Sequence, residues 1–307
     1  MNYFKRSATA SAPARPPGTA AAPGVRRWPP GHHTPVLEGS AAIHALALAG
    51  CVLAPAAWPW WLGGIAANHV ALSAAGLWPR SKVLGPNWTH LPEHPGNARA
   101  LALTIDDGPD PQVTPRVLDL LDHYGVRATF FCIGAHARRH PGLAREIVAR
   151  GHALENHTET HPHSFSLMGT RKIHAQIAAA QHTIADLTGV KPMFFRAPAG
   201  LRNPFLDPVL RRLDLRLASW TRRGFDTREA SAAVVSQRLL DGLRGRDIVL
   251  LHDGNAARAA DGEPVLLAVL PTLIEAARHQ GLQFVTLPEA CRSDATPASS
   301  PTHSVHR

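Results

Sequence analysis

Four short segments of this 307-residue chain combine carboxylates, imidazoles and a guanidinium in ways that could hold one ion and move one proton. The first is Asp106-Asp107-Gly108-Pro109. Neighbouring side chains on an extended backbone point in different directions, so one carboxylate can bind a metal while the other accepts a proton. Gly-Pro then turns the chain. Taken alone, the motif reads equally well as a turn whose aspartates cap a helix near Thr114. The second is His157-Thr158-Glu159-Thr160-His161. Histidines at i and i+4 would share one face of a helical turn about 6 Å apart, which suits two ligands of one divalent ion. Glu159 would point the other way. A chain with 19 histidines holds such pairs by chance, His136/His140 among them. A nearby aspartate is what raises 157/161 above that background: two imidazoles and one carboxylate leave a position open for water, the composition of a hydrolytic zinc site.

Arg196-Ala197-Pro198-Ala199-Gly200 and Leu250-Leu251-His252-Asp253 supply the third kind of group. An arginine beside a catalytic carboxylate would hold it ionised and oriented. A histidine leaving a buried strand across from the metal could act as a general acid. Each, considered singly, also fits a structural role, as a salt bridge or a core histidine.

These groups need elements to bring them together. Apolar, β-branched or aromatic runs at 101–106, 128–133, 152–157, 193–196, 215–220, 247–252 and 283–287 read as strands. Helical patterns fall between them at 114–124, 141–150, 170–188, 204–213, 229–243 and 264–279. Seven strands alternating with helices predict a parallel α/β fold, as an open sheet or a closed barrel. Asp106-Asp107 ends the first strand, His157 the third, Arg196 the fourth and His252-Asp253 the sixth, while Asp226 follows the fifth. Carboxyl ends of parallel strands are where such folds build their sites.

The amino-terminal third is different. Residues 1–38 are rich in Ala, Pro and Arg without apolar periodicity and read as a disordered basic leader. From Gly39 to Pro79, 41 residues pass without one Asp, Glu, Lys or Arg, enough for two membrane crossings of about 20 residues each. Trp58-Pro59-Trp60-Trp61 divides the stretch, predicting a hairpin of two short helices near 40–57 and 61–78. A pair of buried soluble helices is the competing reading. The division is then anchor 39–79, linker 80–98, catalytic domain 99–290 and disordered tail 291–307.

The net charge of +9 excludes little, and its distribution argues against a nucleic-acid partner. Residues 1–95 hold seven basic and two acidic side chains, so much of the excess lies in the leader and the membrane flanks. Three scattered cysteines offer neither a disulfide framework nor a C-x-x-C metal knuckle.

In this order, T-I-D-D-G-P, H-T-E-T-H, R-A-P-A-G and L-L-H-D resemble the motifs of the polysaccharide deacetylases, the NodB-homology carbohydrate esterases of family 4, over about residues 99–290. The resemblance implies a distorted (β/α) barrel of about seven parallel strands and one divalent metal, usually zinc, with cobalt, nickel or manganese as substitutes. It implies Asp107, His157 and His161 as metal ligands and Asp106 as general base steadied by Arg196. It further implies His252 as general acid tuned by Asp226, and the Ala199 backbone N–H as oxyanion donor. Leu250, Trp220 and Pro198 are expected to wall the substrate pocket. An aromatic usual in the family is absent at Ala199, and Thr227 stands where the fourth motif often carries Trp, so Trp220 or Phe225 is expected to serve instead. The implied activity is removal of N-acetyl groups from an envelope polysaccharide, a peptidoglycan-type glycan or a lipid-linked sugar, at a bacterial inner membrane. A glycan-binding homologue without turnover, or a deformylase or deacylase of a lipid-linked amino sugar, are the alternatives.

Overall fold

The computed structural model describes residues 35–292; the leader up to residue 34 and the tail from residue 293 lie outside the described residues. The described residues begin with two antiparallel helices, α1 (Pro35–Leu53) and α2 (Trp58–Leu77). A β/α alternation follows: β1 (Ala100–Asp106), α3 (Thr114–His123), β2 (Thr129–Cys132), α4 (Gly134–Arg139), α5 (Pro141–Ala149), β3 (Ala153–Asn156), α6 (Thr170–Thr188), β4 (Phe194–Phe195) and α7 (Leu206–Arg212). It closes with β5 (Arg216–Leu217), β6 (Arg222–Arg223), α8 (Ala232–Leu240), β7 (Ile248–His252), α9 (Val265–His279), β8 (Gln283–Phe284) and α10 (Leu287–Arg292).

The sheet runs β5-β4-β3-β2-β1-β7-β6, every pairing parallel, with β8 joined to the start of β1. It is a half-barrel, as the alternation predicts. β6, whose two residues are Arg222 and Arg223, carries no apolar run to mark it, and the six-residue helices α4 and α10 are too short to show a helical period.

Strand periodicity separates two cores. Leu101, Leu103 and Ile105 of β1, Phe130 of β2, and Val249 and Leu251 of β7 face outward against α3, α8 and α9. Ala100, Ala102, Phe131, Phe194, Ile248 and Leu250 face the barrel interior with Trp220. Thr104 and Asp106 share the parity of Ala102, and His252 that of Leu250, so the alternation aims these polar groups into the same interior. Register fixes their height: Asp106 pairs with Phe131 on one side and His252 on the other.

No strand pairing joins β5 to β6 among the described residues, and the segment leading into β1 spans that seam. Trp88 bridges to Ala218 beyond β5, and His90 bridges to Asp247 just before β7. The Leu91 N–H donates to the Arg246 carbonyl at 2.9 Å. Residues 80–98 are thus bonded into the barrel wall.

The hairpin forms, with its break at residues 54–57 rather than at the Trp/Pro cluster. Pro59 lies in the first turn of α2, where its missing N–H costs nothing. Only Ala47 and Gly50 of α1 and Ala75 and Gly76 of α2 are buried; a Cβ on Gly50 would fall 2.3 Å from the Trp61 ring across the hairpin, whereas one on Gly76 would meet Arg202 of the barrel. Only α1, not both helices, is long and apolar enough to cross a membrane among the described residues. Asn68, His69 and Ser73 lower the apolar character of α2, and the Asn68 amide donates to Ser40 Oγ at 2.8 Å.

Leu103, fully buried midway along the central strand, tests the outer core. Leu103→Ala is expected to lower unfolding free energy by ~2–5 kcal/mol, measured by urea titration with near-UV circular dichroism.

Candidate active site

The interior polar groups converge at the carboxyl end of the sheet, around a cavity of about 210 Å³. Arg196, fully buried, continues inward from Phe194 with the same parity and reaches across the barrel. Its Nη1 donates to Asp106 Oδ1 at 2.6 Å and to Thr104 Oγ1 at 2.8 Å. Nη2 donates to the Ser219 carbonyl at 2.8 Å and Nε to the Ala218 carbonyl at 3.2 Å. The guanidinium stacks 4.1 Å from the Phe131 ring centroid. All three nitrogens are therefore engaged, and Asp106 is held with Oδ2 on the His157 side, 3.9 Å from Nε2.

Asp107 diverges because its backbone adopts φ 77°, a left-handed conformation rare for a residue with a Cβ. Its Oδ1 lies 3.3 Å from His157 Nε2 and 3.4 Å from His161 Nε2. Asn255 donates to Oδ2 at 2.9 Å, and His136 Nδ1 donates to the Asp107 carbonyl at 3.0 Å. The three candidate ligand atoms of Asp107, His157 and His161 lie within 4.8 Å of one another.

The His157–His161 segment is not helical, contrary to the spacing argument. It is a loop leaving β3, folded back by positive φ at Thr158 (68°) and His161 (49°) and tied by the His161 N–H to Thr158 Oγ1 at 2.9 Å. The two rings meet 4.9 Å apart through this reversal. Glu159 does turn away, onto Arg138 and Thr183.

These residues fit a divalent cation. His157 Nδ1–H donates to the Arg196 carbonyl at 2.8 Å, so Nε2, which faces Asp107, is the nitrogen that would offer its lone pair to a metal. Asp107 Oδ1 is buried with no hydrogen-bond partner, an orphan a cation would satisfy. Burial, reinforced by the His157 charge, pushes His161 down to about 4, so its imidazole is neutral at physiological pH. Burial would raise the Asp107 pKa, but the contact with His157 and the histidine charges outweigh it and hold the carboxyl well below its usual range.

Across the cavity, Asp226, fully buried, accepts from the His252 backbone N–H at 2.7 Å and from His252 Nδ1 at 2.9 Å. Burial lowers the His252 pKa, yet the bond to Asp226 and its charge raise it above the ordinary value overall. Nε2 is left for the cavity. Ala199, with φ 53°, lines the cavity with Gly200, as do Trp220 and Leu250. Pro198 is buried and does not line it. Phe225 does not line it either; Arg223 does, lying over both Trp220 and Phe225.

Residue spacing missed Asn255, His136, Arg223 and His163. Asn255 follows the L-L-H-D motif by two positions in the same post-strand loop, and that place was the one available signal. In the sequence His136 reads only as a chance pairing with His140.

Comparison with known proteins agrees with this geometry. A sequence model described as polysaccharide deacetylase matches residues 93–218. The chain is 32% identical over 202 residues to a peptidoglycan-N-acetylglucosamine deacetylase of Bacillus cereus, covering 65% of this chain and 92% of that protein. It is 32% identical over 206 residues to the peptidoglycan-N-acetylglucosamine deacetylase PgdA of Listeria monocytogenes, covering 66% of this chain but only 42% of that longer protein. The solved structure of a family 4 carbohydrate esterase from Streptomyces lividans, in complex with acetate, superposes with a TM-score of 0.54 at 31% identity, covering 60% of this chain and 91% of that one. With nearly the whole of the Bacillus cereus relative covered at this identity, the chain belongs to the polysaccharide deacetylase family.

Proposed function

We propose that this chain is a metal-dependent hydrolase that removes N-acetyl groups from a carbohydrate and releases acetate. The observation that carries the reading is the meeting, around one cavity, of the Asp107/His157/His161 set, the Arg196-clamped Asp106 and the Asp226-bound His252. Asp107, His157 and His161 would hold one divalent ion, and zinc suits two imidazoles with one carboxylate. Held there, the ion supplies Lewis-acid polarisation of a water and of the acetyl carbonyl.

The chain's own residues do the rest. Asp106, held in place by Arg196, takes a proton from the attacking water. The Ala199 N–H donates to the oxygen that gains charge at the tetrahedral carbon. His252 carries a proton on each ring nitrogen: Nδ1–H donates to Asp226, and Nε2–H passes to the sugar nitrogen as the C–N bond breaks. The products are acetate and a free amine. N-acetylated glycans of the kinds named for the relatives, peptidoglycan among them, are the substrate class. The length and composition of α1 support attachment to a bacterial inner membrane.

Acetate release from N-acetylglucosamine oligomers is expected to stop on chelation and return with zinc, and Asp106→Asn to lower kcat by ~10²–10⁴-fold. Release without metal, or an unimpaired Asp106→Asn protein, overturns the mechanism. The pH dependence has a defined sign. A general acid works only while protonated, so the raised His252 pKa carries activity to higher pH. Asp226→Asn removes that support and should move the alkaline limb of kcat/KM to lower pH. Asn255→Ala should weaken zinc binding by ~10–100-fold in a competition titration, because it frees the carboxylate that Asn255 orients.

A further inference from the structure

A second and larger cavity, about 590 Å³, lies between the amino-terminal hairpin and the barrel. Its hairpin wall includes Leu72, Ser73 and Leu77, and its barrel wall includes Leu167 and Phe205. Resting on the deacetylase reading above, we propose that the substrate is an N-acetylated sugar carried through phosphate on a lipid, with the lipid tail lying in this groove and the sugar in the catalytic pocket.

Four observations lead there. The groove and the catalytic cavity are neighbours along the same two loops. Ser166 and Leu167 follow His163 in the loop after β3, and Arg202 follows Gly200 in the loop after β4, so Gly200 and Arg202 are at most about 7 Å apart. The hairpin is also seated against that end of the barrel. The Arg202 N–H donates to the Gly76 carbonyl at 3.2 Å, and a Cβ on Gly76 would lie 2.2 Å from the Arg202 carbonyl oxygen. Pro79 packs on Gly200 at the catalytic rim, and its carbonyl accepts from Ser219 Oγ at 2.6 Å.

Large apolar side chains are exposed on both components. Leu167 is 86% exposed and Phe205 46% exposed at the groove, beside a helix, α1, whose Leu46, Leu48, Val52 and Leu53 all face outward. Isolated exposed leucines are ordinary, whereas exposed apolar side chains at a groove walled in part by a membrane-length helix suit a lipid contact. Finally, the groove has one fixed charge. Arg202 is the only Lys, Arg, Asp or Glu lining it, is 4% exposed, donates through Nη2 to the Ser81 carbonyl with Asp207 nearby, and keeps Nε without a hydrogen-bond partner among the described residues. A buried cation with an unused donor, set between an apolar groove and a sugar-sized pocket, suits the phosphate that joins a lipid tail to a sugar.

The full chain in phospholipid nanodiscs, loaded with zinc, should be assayed on synthetic polyprenyl-diphosphoryl N-acetylglucosamine and on the water-soluble N-acetylglucosamine tetramer. Burial of about two extra methylenes already corresponds to ~10-fold, so kcat/KM should favour the lipid-linked sugar by at least ~10-fold. Ser73→Trp, which fills the groove, and Leu167→Asp should erase that preference while leaving turnover of the tetramer unchanged. Equal turnover of the two substrates, or equal losses on both in the variants, overturns the proposal. A photoreactive tail on the same lipid-linked sugar provides a readout independent of catalysis. Cross-linking to α2 or to residues 166–205, lost in Ser73→Trp, supports the tail site even if no acetate is released, in which case the deacetylase reading fails and the site stands. Cross-linking that equimolar phosphatidylglycerol suppresses as well as unlabelled lipid-linked sugar does reduces the groove to a general lipid contact and overturns it.

Discussion

The buried contact between Arg196 and Asp106 is the constraint on which the rest of this structure depends. A guanidinium and a carboxylate taken out of water are tolerable only when each is paired and the remaining donors are satisfied. Arg196 meets that condition by spending its other donors on Thr104 and on the carbonyls of Ala218 and Ser219. One side chain therefore ties β1, β4 and the segment after β5 together inside the barrel. Its own carbonyl accepts from His157 and sets which nitrogen of that imidazole is free. The same pair that fills the interior thus orients both a carboxylate and a candidate metal ligand. Removing either partner would leave an uncompensated charge in the core, so stability and chemistry cannot be varied separately here.

Around that anchor the backbone is strained where the side chains must converge. Asp107, Thr158, His161 and Ala199 all hold positive φ, a conformation costing residues with a Cβ of order 1–3 kcal/mol each. All four lie in loops at the carboxyl ends of β1, β3 and β4. The unstrained alternative would leave successive side chains on the regular alternation of a strand or the regular face of a helix. Neither brings Asp107 to both His157 and His161 while Asp106 stays on Arg196.

The amino-terminal portion belongs to the same design. Residues 80–98 cover the seam between β5 and β6, and Pro79 braces Gly200 at the rim of the catalytic cavity. The hairpin is consequently held against the loops that carry the site. Its larger apolar side chains Leu46, Leu48, Val52 and Leu53 face outward, while Gly76 seats the hairpin on Arg202.

Much of this was legible beforehand. Hydrophobic period placed all seven anticipated strands and six of the barrel's helices within a few residues, because each long element buries one face. Residue types and motif order indicated which polar side chains meet at the carboxyl end of the sheet, and Asp226, the least typical of them, does bind His252. What a linear reading could not supply was the reason they meet. The i, i+4 spacing of His157 and His161 suggested a helix, whereas a reversed loop brings them together. Asn255 and the Ser219 carbonyl had no motif to mark them, since their importance comes from what lies across the barrel. The sequence by itself determined the alternation of elements, the inward parity of Thr104, Asp106 and His252, and the stock of ligands and proton carriers. Only the tertiary structure decided which aspartate faces the histidines, how Arg196 is satisfied and where the hairpin docks, because strand register, left-handed backbone and buried polar pairing are set by contacts between residues far apart in the chain.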